Sequence, residues 1–154
     1  MPPREKGAPD QINPTHLGDY LEVMSKAVFQ GGMSWDVVEA KWPGTREAFH
    51  NFDMDEIAKM GEPDIERLTQ DRRVIRNRRK LEAILYNAST LLQLEKEHGT
   101  FQQYLRSFDD YYALEKDLRK QFKFLGEMGI FYFLHVCREP VPDYHEWEAA
   151  RQNK

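Results

Sequence analysis

Residues 122–126 read Phe-Lys-Phe-Leu-Gly and separate two segments of helical character, one around Leu114 to Gln121 and one from Glu127 to Cys137. Glycine at the end of such a connection permits a left-handed turn and lets a phosphate group approach the backbone. Lys123 and Gly126 are therefore candidate phosphate contacts. A helix-ending glycine between core aromatic residues is the more common explanation of such a string.

The apolar residues outside this hairpin also recur at helical spacing. One amphipathic helix has Asn13 as its N-cap, Pro14 at its first position and an apolar face made of Leu17, Tyr20, Leu21, Met24 and Val28. The longest periodic segment, about residues 76–97, ends at Gly99. No segment alternates with period two. The predicted fold class is all-α, a compact bundle of short helices around a long central helix.

Short helices are predicted wherever a capping signal occurs. Ser34 caps a helix that carries Trp35 and stops at Pro43-Gly44. The other signals are Asp53 with Glu56, Pro63 before a helix from Asp64 to Gln70, and Thr100 with Gln103. A chain of 154 residues suits one domain, which we place at residues 14–154, after a disordered tail at residues 1–13.

The composition of the chain excludes several classes of protein and of binding site. No apolar run approaches the roughly 20 residues of a membrane span, so we expect a soluble, cytoplasmic protein. We also expect a monomer. The single cysteine, Cys137, cannot form an internal disulfide or a thiolate-rich metal site, and we expect no metal or other cofactor. The formal net charge of −4 gives no general attraction to nucleic acid. Any DNA contact therefore depends on a local basic patch.

Such a patch lies at residues 71–80, Asp-Arg-Arg-Val-Ile-Arg-Asn-Arg-Arg-Lys, where six of ten residues are basic. Guanidinium groups and the backbone amides of a helix start both suit phosphate. Arg76, Arg78 and Lys80 are therefore candidate DNA-binding residues. The alternative is a solvated helix face whose basic groups pair with nearby acids, and composition alone does not separate the two.

A glycine loop, Gln30-Gly31-Gly32-Met33-Ser34-Trp35, precedes the second helix. A base extruded from a duplex needs a flat face to stack on, and the gap that it leaves must be filled by a side chain. Gly32 and Met33 are therefore candidate DNA contacts, and Gln30 and Trp35 are candidate base contacts. The alternative is a turn followed by a core tryptophan.

The proline loop Pro140-Val141-Pro142-Asp143-Tyr144-His145 presents a carboxylate beside an imidazole. Such a carboxylate can orient water or stabilise an oxocarbenium-like transition state at a sugar. Asp143 is therefore the candidate catalytic residue. The alternative, favoured on these residues alone, is that Asp143 caps the last helix.

Together and in this order, these segments resemble the DNA-3-methyladenine glycosylase I family over about residues 20–143. The family's glycine loop ending in Leu-Ser-Trp is similar to residues 31–35, and its aromatic and basic pairs that follow are similar to residues 41–53. Its aspartate with a basic helix matches residues 71–80, its Phe-Lys-Phe-Val-Gly hairpin matches residues 122–126, and its Val-Asn-Asp matches residues 141–143. The resemblance implies a helix-hairpin-helix glycosylase fold.

The chain departs from that family at two places. The family binds zinc near its two ends, but the N-terminal Cys and Tyr-His-Asp block is missing here and Tyr144 replaces a histidine. The resemblance also implies a pocket glutamate that reads the methylated adenine, and that position is Ala27. A lost charged hydrogen bond costs on the order of 1.5–3 kcal/mol, which weakens the case for strict 3-methyladenine specificity at this base-binding position.

Other helix-hairpin-helix glycosylases, such as endonuclease III, carry a catalytic aspartate in a Val-Asp-Thr-His loop, and residues 142–145 are similar to it. That likeness supports Asp143 as the catalytic residue. The lysine that makes some of those enzymes lyases has no counterpart beyond Gly126, so the resemblance implies a monofunctional hydrolase.

The leading hypothesis is a DNA glycosylase of base excision repair that binds double-stranded DNA and hydrolyses the N-glycosidic bond of alkylated, 3-methyladenine-like bases. The alternative is a non-catalytic helix-hairpin-helix DNA-binding protein, motivated by Ala27 and the missing zinc ligands. A third interpretation is a helical protein-interaction domain whose basic segment is only solvated surface.

Overall fold

The computed structural model describes residues 9–153, and in that range it contains nine α-helices and no β-strand. The helices are α1 (Leu17–Gln30), α2 (Trp35–Ala48), α3 (Met54–Ile57), α4 (Glu62–Leu68), α5 (Arg78–His98), α6 (Phe101–Leu105), α7 (Tyr111–Gln121), α8 (Glu127–Val136) and α9 (Tyr144–Gln152). The predicted all-α class is confirmed. None of the described helices is both long and apolar enough to span a bilayer.

The longest helix, α5, lies at the centre of the fold and packs against α1, α4 and α6. Its inward face consists of apolar side chains that are almost completely buried: Leu81, Ile84, Ala88, Leu91 and Leu94. The Asn77 side chain accepts a hydrogen bond from the backbone N–H of Lys80 at the start, and Gly99, with φ of 92°, ends the helix. The predicted central helix is confirmed, and burial of each large apolar side chain contributes about 1.5–3 kcal/mol.

Helix α1 begins at Leu17, later than the N-cap at Asn13 and the first-turn Pro14 predict. The carboxylate of Asp19 accepts hydrogen bonds from the backbone N–H (2.8 Å) and the hydroxyl (3.2 Å) of Thr15. These bonds hold the chain extended before the helix, because an acceptor inside the first turn satisfies a donor that precedes it. The predicted start of α1 was therefore wrong.

Helix α2 continues through Pro43 and Gly44, so the predicted stop there was wrong. Pro43 removes one backbone N–H donor from the interior of α2, but packing on neighbouring parts of the fold keeps the helix continuous. The Thr45 hydroxyl donates to the carbonyl of Lys41 (2.8 Å). A Cβ atom on Gly44 would lie 2.8 Å from the Cβ of Arg73, so the glycine allows the segment before α5 to pack directly on α2.

The turn after α2 has an unusual backbone, because His50, Asn51 and Phe52 all adopt φ of 56–57°. Left-handed conformations cost non-glycine residues about 1–2 kcal/mol each. Phe52 is fully buried and stacks on Trp42, with ring centroids 5.9 Å apart. A Cβ on Gly18 would overlap the carbonyl oxygen of Phe52. Aromatic burial and this close approach of α1 therefore stabilise the turn.

The predicted disordered tail, residues 1–13, lies for its first eight residues outside the described part of the chain. Its last residues are attached to α8. The side chain of Gln11 donates to the carbonyl of His135, and the backbone N–H of Ile12 donates to the carbonyl of Val136, both at 2.8 Å. Order therefore begins before the predicted boundary.

An aromatic cluster attaches α9 to α7 and α8. The buried Trp147 packs on Phe131 with ring centroids 4.4 Å apart, and Phe131 also contacts Tyr144 (5.9 Å) and Tyr111 (6.2 Å). The guanidinium of Arg151 lies 4.8 Å from the centre of the Trp147 ring. The last helix is thus held mainly by packing of aromatic rings.

Replacing Trp147 with alanine removes the centre of this aromatic cluster. We expect the free energy of unfolding to fall by about 3–5 kcal/mol, because the side chain is 1% exposed and its loss leaves a cavity. Urea unfolding followed by circular dichroism measures the change. Tyr112→Ala is the matched control, since that ring is 44% exposed, and it should cost less than half as much. Equal losses for the two variants would contradict this account of α9.

Candidate active site

The hairpin between α7 and α8 differs in one detail from the prediction. Its left-handed residue is Phe124, with φ of 57°, whereas Gly126 has φ of −94° and is the N-cap of α8. The predicted left-handed glycine was therefore wrong. A Cβ on Gly126 would meet no atom within 4 Å, so the backbone here is open to the outside. A helix N-terminus with uncovered N–H groups favours an anion.

The central helix fixes this hairpin through one buried amide. Asn87 is 1% exposed, and its side-chain oxygen accepts a hydrogen bond from the Lys123 N–H (2.8 Å) while its side-chain nitrogen donates to the Lys123 carbonyl (3.1 Å). Both backbone groups of Lys123 are therefore satisfied by α5. Sequence reasoning did not assign a role to Asn87, although a polar residue on an otherwise apolar helix face was a usable signal.

Two exposed aromatic rings carry cations beside the hairpin. The Lys123 ammonium lies 4.2 Å from the centre of the Tyr86 ring, and the Arg79 guanidinium lies 5.6 Å from the centre of the Phe124 ring. Both rings are 45% exposed. Neither cation forms an ion pair within residues 9–153, so both are available to an anion. We call Arg79, Tyr86, Lys123 and Phe124 the hairpin surface; its members on α5 were missed.

The basic segment at residues 71–80 does not act as one unit. Arg78 forms ion pairs with Glu62, with Glu66 (2.8 Å) and with Glu82 (3.6 Å). Arg73 is likewise paired with two carboxylates. Arg73 and Arg78 therefore fit the alternative of a solvated surface whose basic groups pair with nearby acids. The three carboxylates around Arg78 argue against its assignment as a phosphate contact.

Lys80, also predicted to contact phosphate, is turned inward. Its ammonium donates to the carbonyl of Gly31 (2.6 Å) and lies 3.4 Å from the carbonyl oxygen of Phe29. Burial lowers the pKa of this lysine below its ordinary value. Lys80 therefore binds the C-terminus of α1 and holds the glycine loop. Arg76 is exposed and has no carboxylate partner in the described part of the chain, and its role as a DNA contact stays a prediction.

The glycine loop forms a tight turn between α1 and α2. Gly32 has φ of 78°, a conformation that favours glycine, and a Cβ there would meet no atom within 4 Å. The backbone N–H of Met33 donates to the carbonyl of Gln30 (3.0 Å), and Met33 packs partly on the core. Ser34 caps α2, as predicted, by accepting from a backbone N–H at 3.2 Å. The side chain of Gln30 forms no hydrogen bond within residues 9–153.

Helix α8 brings two of the predicted base contacts together. A Cβ on Gly129 would lie 3.5 Å from the Cβ of Ala27, and the Tyr132 ring lies 5.2 Å from the Trp35 ring at an interplanar angle of 79°. Gly129 and Tyr132 are three residues apart and therefore share one face of α8. We call Ala27, Trp35, Gly129 and Tyr132 the recognition cluster. Sequence reasoning missed its two α8 members.

No member of the recognition cluster carries a formal charge. Burial, with a smaller contribution from Glu39, holds the pKa of the Tyr132 phenol far above its ordinary value. Glu39 itself pairs with Lys26 at 3.1 Å. The phenol therefore stays neutral and keeps its proton at physiological pH.

Asp143 caps α9, as the alternative interpretation predicts. Its Oδ2 accepts from the backbone N–H groups of His145 (3.0 Å) and Glu146 (3.2 Å), whereas its Oδ1 accepts no hydrogen bond within residues 9–153. Helix α8 contacts α2 through Tyr132 and α9 through Phe131, about 100° apart on the helix. Tyr144 and Trp35 therefore pack on neighbouring sides of α8. The catalytic role of Asp143, which precedes Tyr144, stays a prediction.

The residues near α9 do not fit the zinc site that the resemblance implies. Within the described residues, no group of three or more His, Cys, Asp or Glu side chains could hold a metal ion. Cys137 is buried, and burial raises the pKa of its thiol well above the ordinary value, which disfavours the thiolate that zinc requires. Aromatic packing around Trp147 occupies this end of the molecule instead.

Comparison with known proteins agrees with this geometry. The family model described as Methyladenine glycosylase matches residues 14–128, which include the glycine loop, the basic segment and the hairpin but not Asp143. DNA-3-methyladenine glycosylase 1 of Escherichia coli (strain K12) is 35% identical over 129 residues, covering 70% of this chain and 69% of the relative. DNA-3-methyladenine glycosylase of Haemophilus influenzae is 36% identical over 126 residues, covering 68% of each chain.

Solved structures give the same result. 3-methyladenine DNA glycosylase I from Staphylococcus aureus superimposes with a TM-score of 0.71 at 26% identity, covering 83% of this chain and 79% of that one. A tyrosine-to-phenylalanine variant of a 3-methyladenine DNA glycosylase I, in complex with 3-methyladenine, also gives 0.71, at 28% identity and with 83% and 80% coverage. The predicted family and helical fold are confirmed, and the chain belongs to the methyladenine glycosylase family of DNA glycosylases.

Proposed function

We propose that this protein hydrolyses the N-glycosidic bond of alkylated purines in double-stranded DNA, as a monofunctional glycosylase of base excision repair. One observation carries the proposal: Gly126 of the hairpin and Tyr132 of the recognition cluster lie on the same helix, α8. Six residues of helix span about 9 Å, roughly the rise of two to three nucleotides. A rigid element thus links a phosphate contact to a base contact at a suitable distance.

Cleavage of the bond needs little acid catalysis at the base itself. An N-alkylated purine is already cationic and leaves readily, so the enzyme acts mainly by extruding the nucleotide and placing charge near its sugar. Met33, at the tip of the glycine loop, fills the vacated stack, and Trp35 offers the extruded base a flat face. Asp143 supports the positive charge that develops on the sugar, and its unbonded Oδ1 is the atom available for this role.

The phosphate contacts come from the part of the basic segment that has no acidic partners. Arg76 and Arg79 on the α5 side and Lys123 on the hairpin provide cations, and the N-terminus of α8 provides backbone donors. Asn87 keeps the hairpin in place for this contact. The names of the relatives support the same substrate class, since each is called a 3-methyladenine glycosylase.

The non-catalytic DNA-binding alternative rests on the missing zinc ligands and on Ala27, at the position where the resemblance implies a glutamate. It predicts salt-sensitive duplex binding without release of any base. The base-release measurement described next also decides between this alternative and the glycosylase.

The first test concerns Asp143→Asn. Asparagine caps a helix as well as aspartate does, so the fold should be kept while the negative charge is lost. We expect release of methylated purines from alkylated duplex DNA, measured by mass spectrometry, to fall by about 100-fold or more. The free energy of unfolding, measured in parallel, should change by less than about 0.5 kcal/mol. Equal enzyme-dependent release by both proteins would leave Asp143 with only its capping role, and no release by wild type would reject the glycosylase.

A second test compares arginines along the basic segment. Arg76→Ala and Arg79→Ala should each reduce the slope of log binding constant against log salt by about 1, because each removes one phosphate contact. Arg78→Ala is the matched control, since its guanidinium is already paired with glutamates and should leave the slope unchanged. Fluorescence anisotropy with a labelled duplex at several salt concentrations gives the slopes. A loss of slope in Arg78→Ala alone would contradict this division.

A further inference from the structure

Tyr132 is half-buried, and its hydroxyl has no hydrogen-bond partner within residues 9–153 and remains open to solvent. A phenol that no neighbouring group satisfies can donate to or accept from a ligand without breaking a hydrogen bond within the protein. The ring is held in place by its contact with Trp35 on α2, at 5.2 Å between centroids. The free hydroxyl therefore belongs to a residue of fixed position beside the predicted base contact.

The acidic groups that act electrostatically on Tyr132 already have other partners. Glu39 binds the ammonium of Lys26 at 3.1 Å. Glu22 accepts a hydrogen bond from the indole nitrogen of Trp42 at 2.9 Å and pairs with Arg46 at 3.1 Å. Cys137, which also faces Tyr132, is a buried thiol and only a weak hydrogen-bonding group. These neighbours leave the phenol free for a ligand.

The geometry of the recognition cluster fits an aromatic ligand. A base stacked on Trp35 would stand nearly perpendicular to the Tyr132 ring, because the two rings meet at 79°. The Tyr132 side chain would then face the edge of the base, where the hydrogen-bonding groups of the base lie. Ala27 and Gly129 contribute only small apolar surface on the same side of α8. The cluster thus contains a stacking face, small neighbours and one free polar atom.

From this arrangement we propose that the Tyr132 hydroxyl reads the edge of the extruded purine, in the place of the acid that is absent at Ala27. The inference rests on the proposed glycosylase function. A phenol both donates and accepts, so it can pair with a ring nitrogen, an exocyclic amine or a carbonyl oxygen of the purine. Because the Tyr132 phenol is neutral, it discriminates among alkylated purines by their hydrogen-bonding pattern and not by an ion pair.

The decisive variant is Tyr132→Phe, which removes one oxygen and keeps the ring against Trp35. We expect the rate of release of at least one methylated purine to fall by about 5- to 30-fold, the range for the loss of one hydrogen bond. The ratio of release of 3-methyladenine to that of 7-methylguanine from methylated duplex should change accordingly, because the two bases present different edges. Tyr111→Phe is the control: it also removes a single phenol oxygen, here a buried one in the aromatic cluster under α9, and should leave the ratio unchanged.

A binding measurement separates this inference from the proposed function. Free 3-methyladenine and 7-methylguanine are titrated into wild type, Tyr132→Phe and Tyr111→Phe by calorimetry, which requires no catalysis. Weaker binding to Tyr132→Phe alone supports the inference, even if wild type releases no base and the glycosylase proposal fails. Base release by wild type with an unchanged ratio in Tyr132→Phe overturns the inference and leaves the glycosylase standing. Wild type that neither binds nor releases a methylated purine overturns both.

Discussion

The two hydrogen bonds between the buried Asn87 side chain and the backbone of Lys123 determine where the functional parts of this molecule lie. They join the central helix to the hairpin, and the hairpin sets the start and direction of α8. That helix then presents Tyr132 toward α2 and Phe131 toward α9. The proposed phosphate contact, the proposed base contact and the last helix therefore depend on one satisfied amide, whose loss would leave two partly buried backbone groups without it.

Local chemistry made much of the fold predictable. The apolar stripe of α5 and the cap at Ser34 act within a few residues, so the sequence alone reveals them. Pro43-Gly44 was misread because the same pair ends helices in most settings, and here a tertiary contact with Arg73 makes the glycine useful inside α2. The left-handed residue of the hairpin, Phe124, could not be predicted from propensity, since the glycine two residues later is the usual choice.

The candidate site was less predictable, because its residues are selected by distant partners. Arg78 and Arg79 are neighbours of the same type, yet one meets glutamates of α4 and the other lies over an aromatic ring of the hairpin. Nothing in the basic segment itself distinguishes them. Tyr132 lies in an apolar helix and has the pattern of a core aromatic residue. The contact with Trp35 and the lack of a hydrogen-bond partner in the described residues are the grounds for the different role proposed for it.

A neutral recognition cluster raises the question of how the protein would prefer a cationic base over an ordinary one. In the proposed complex the face of Trp35 supplies this preference, because an indole ring attracts a cation that lies over its face by about 0.5–2 kcal/mol. A carboxylate at Ala27 would attract the cation more strongly, but it would have to be desolvated in a position that is now buried and apolar. Stacking therefore supplies the preference for charge, and the Tyr132 hydroxyl supplies the choice among charged bases. This division of roles is consistent with the packing of α8, which lies close to α1 at Gly129 and leaves little room there for a hydrated acid.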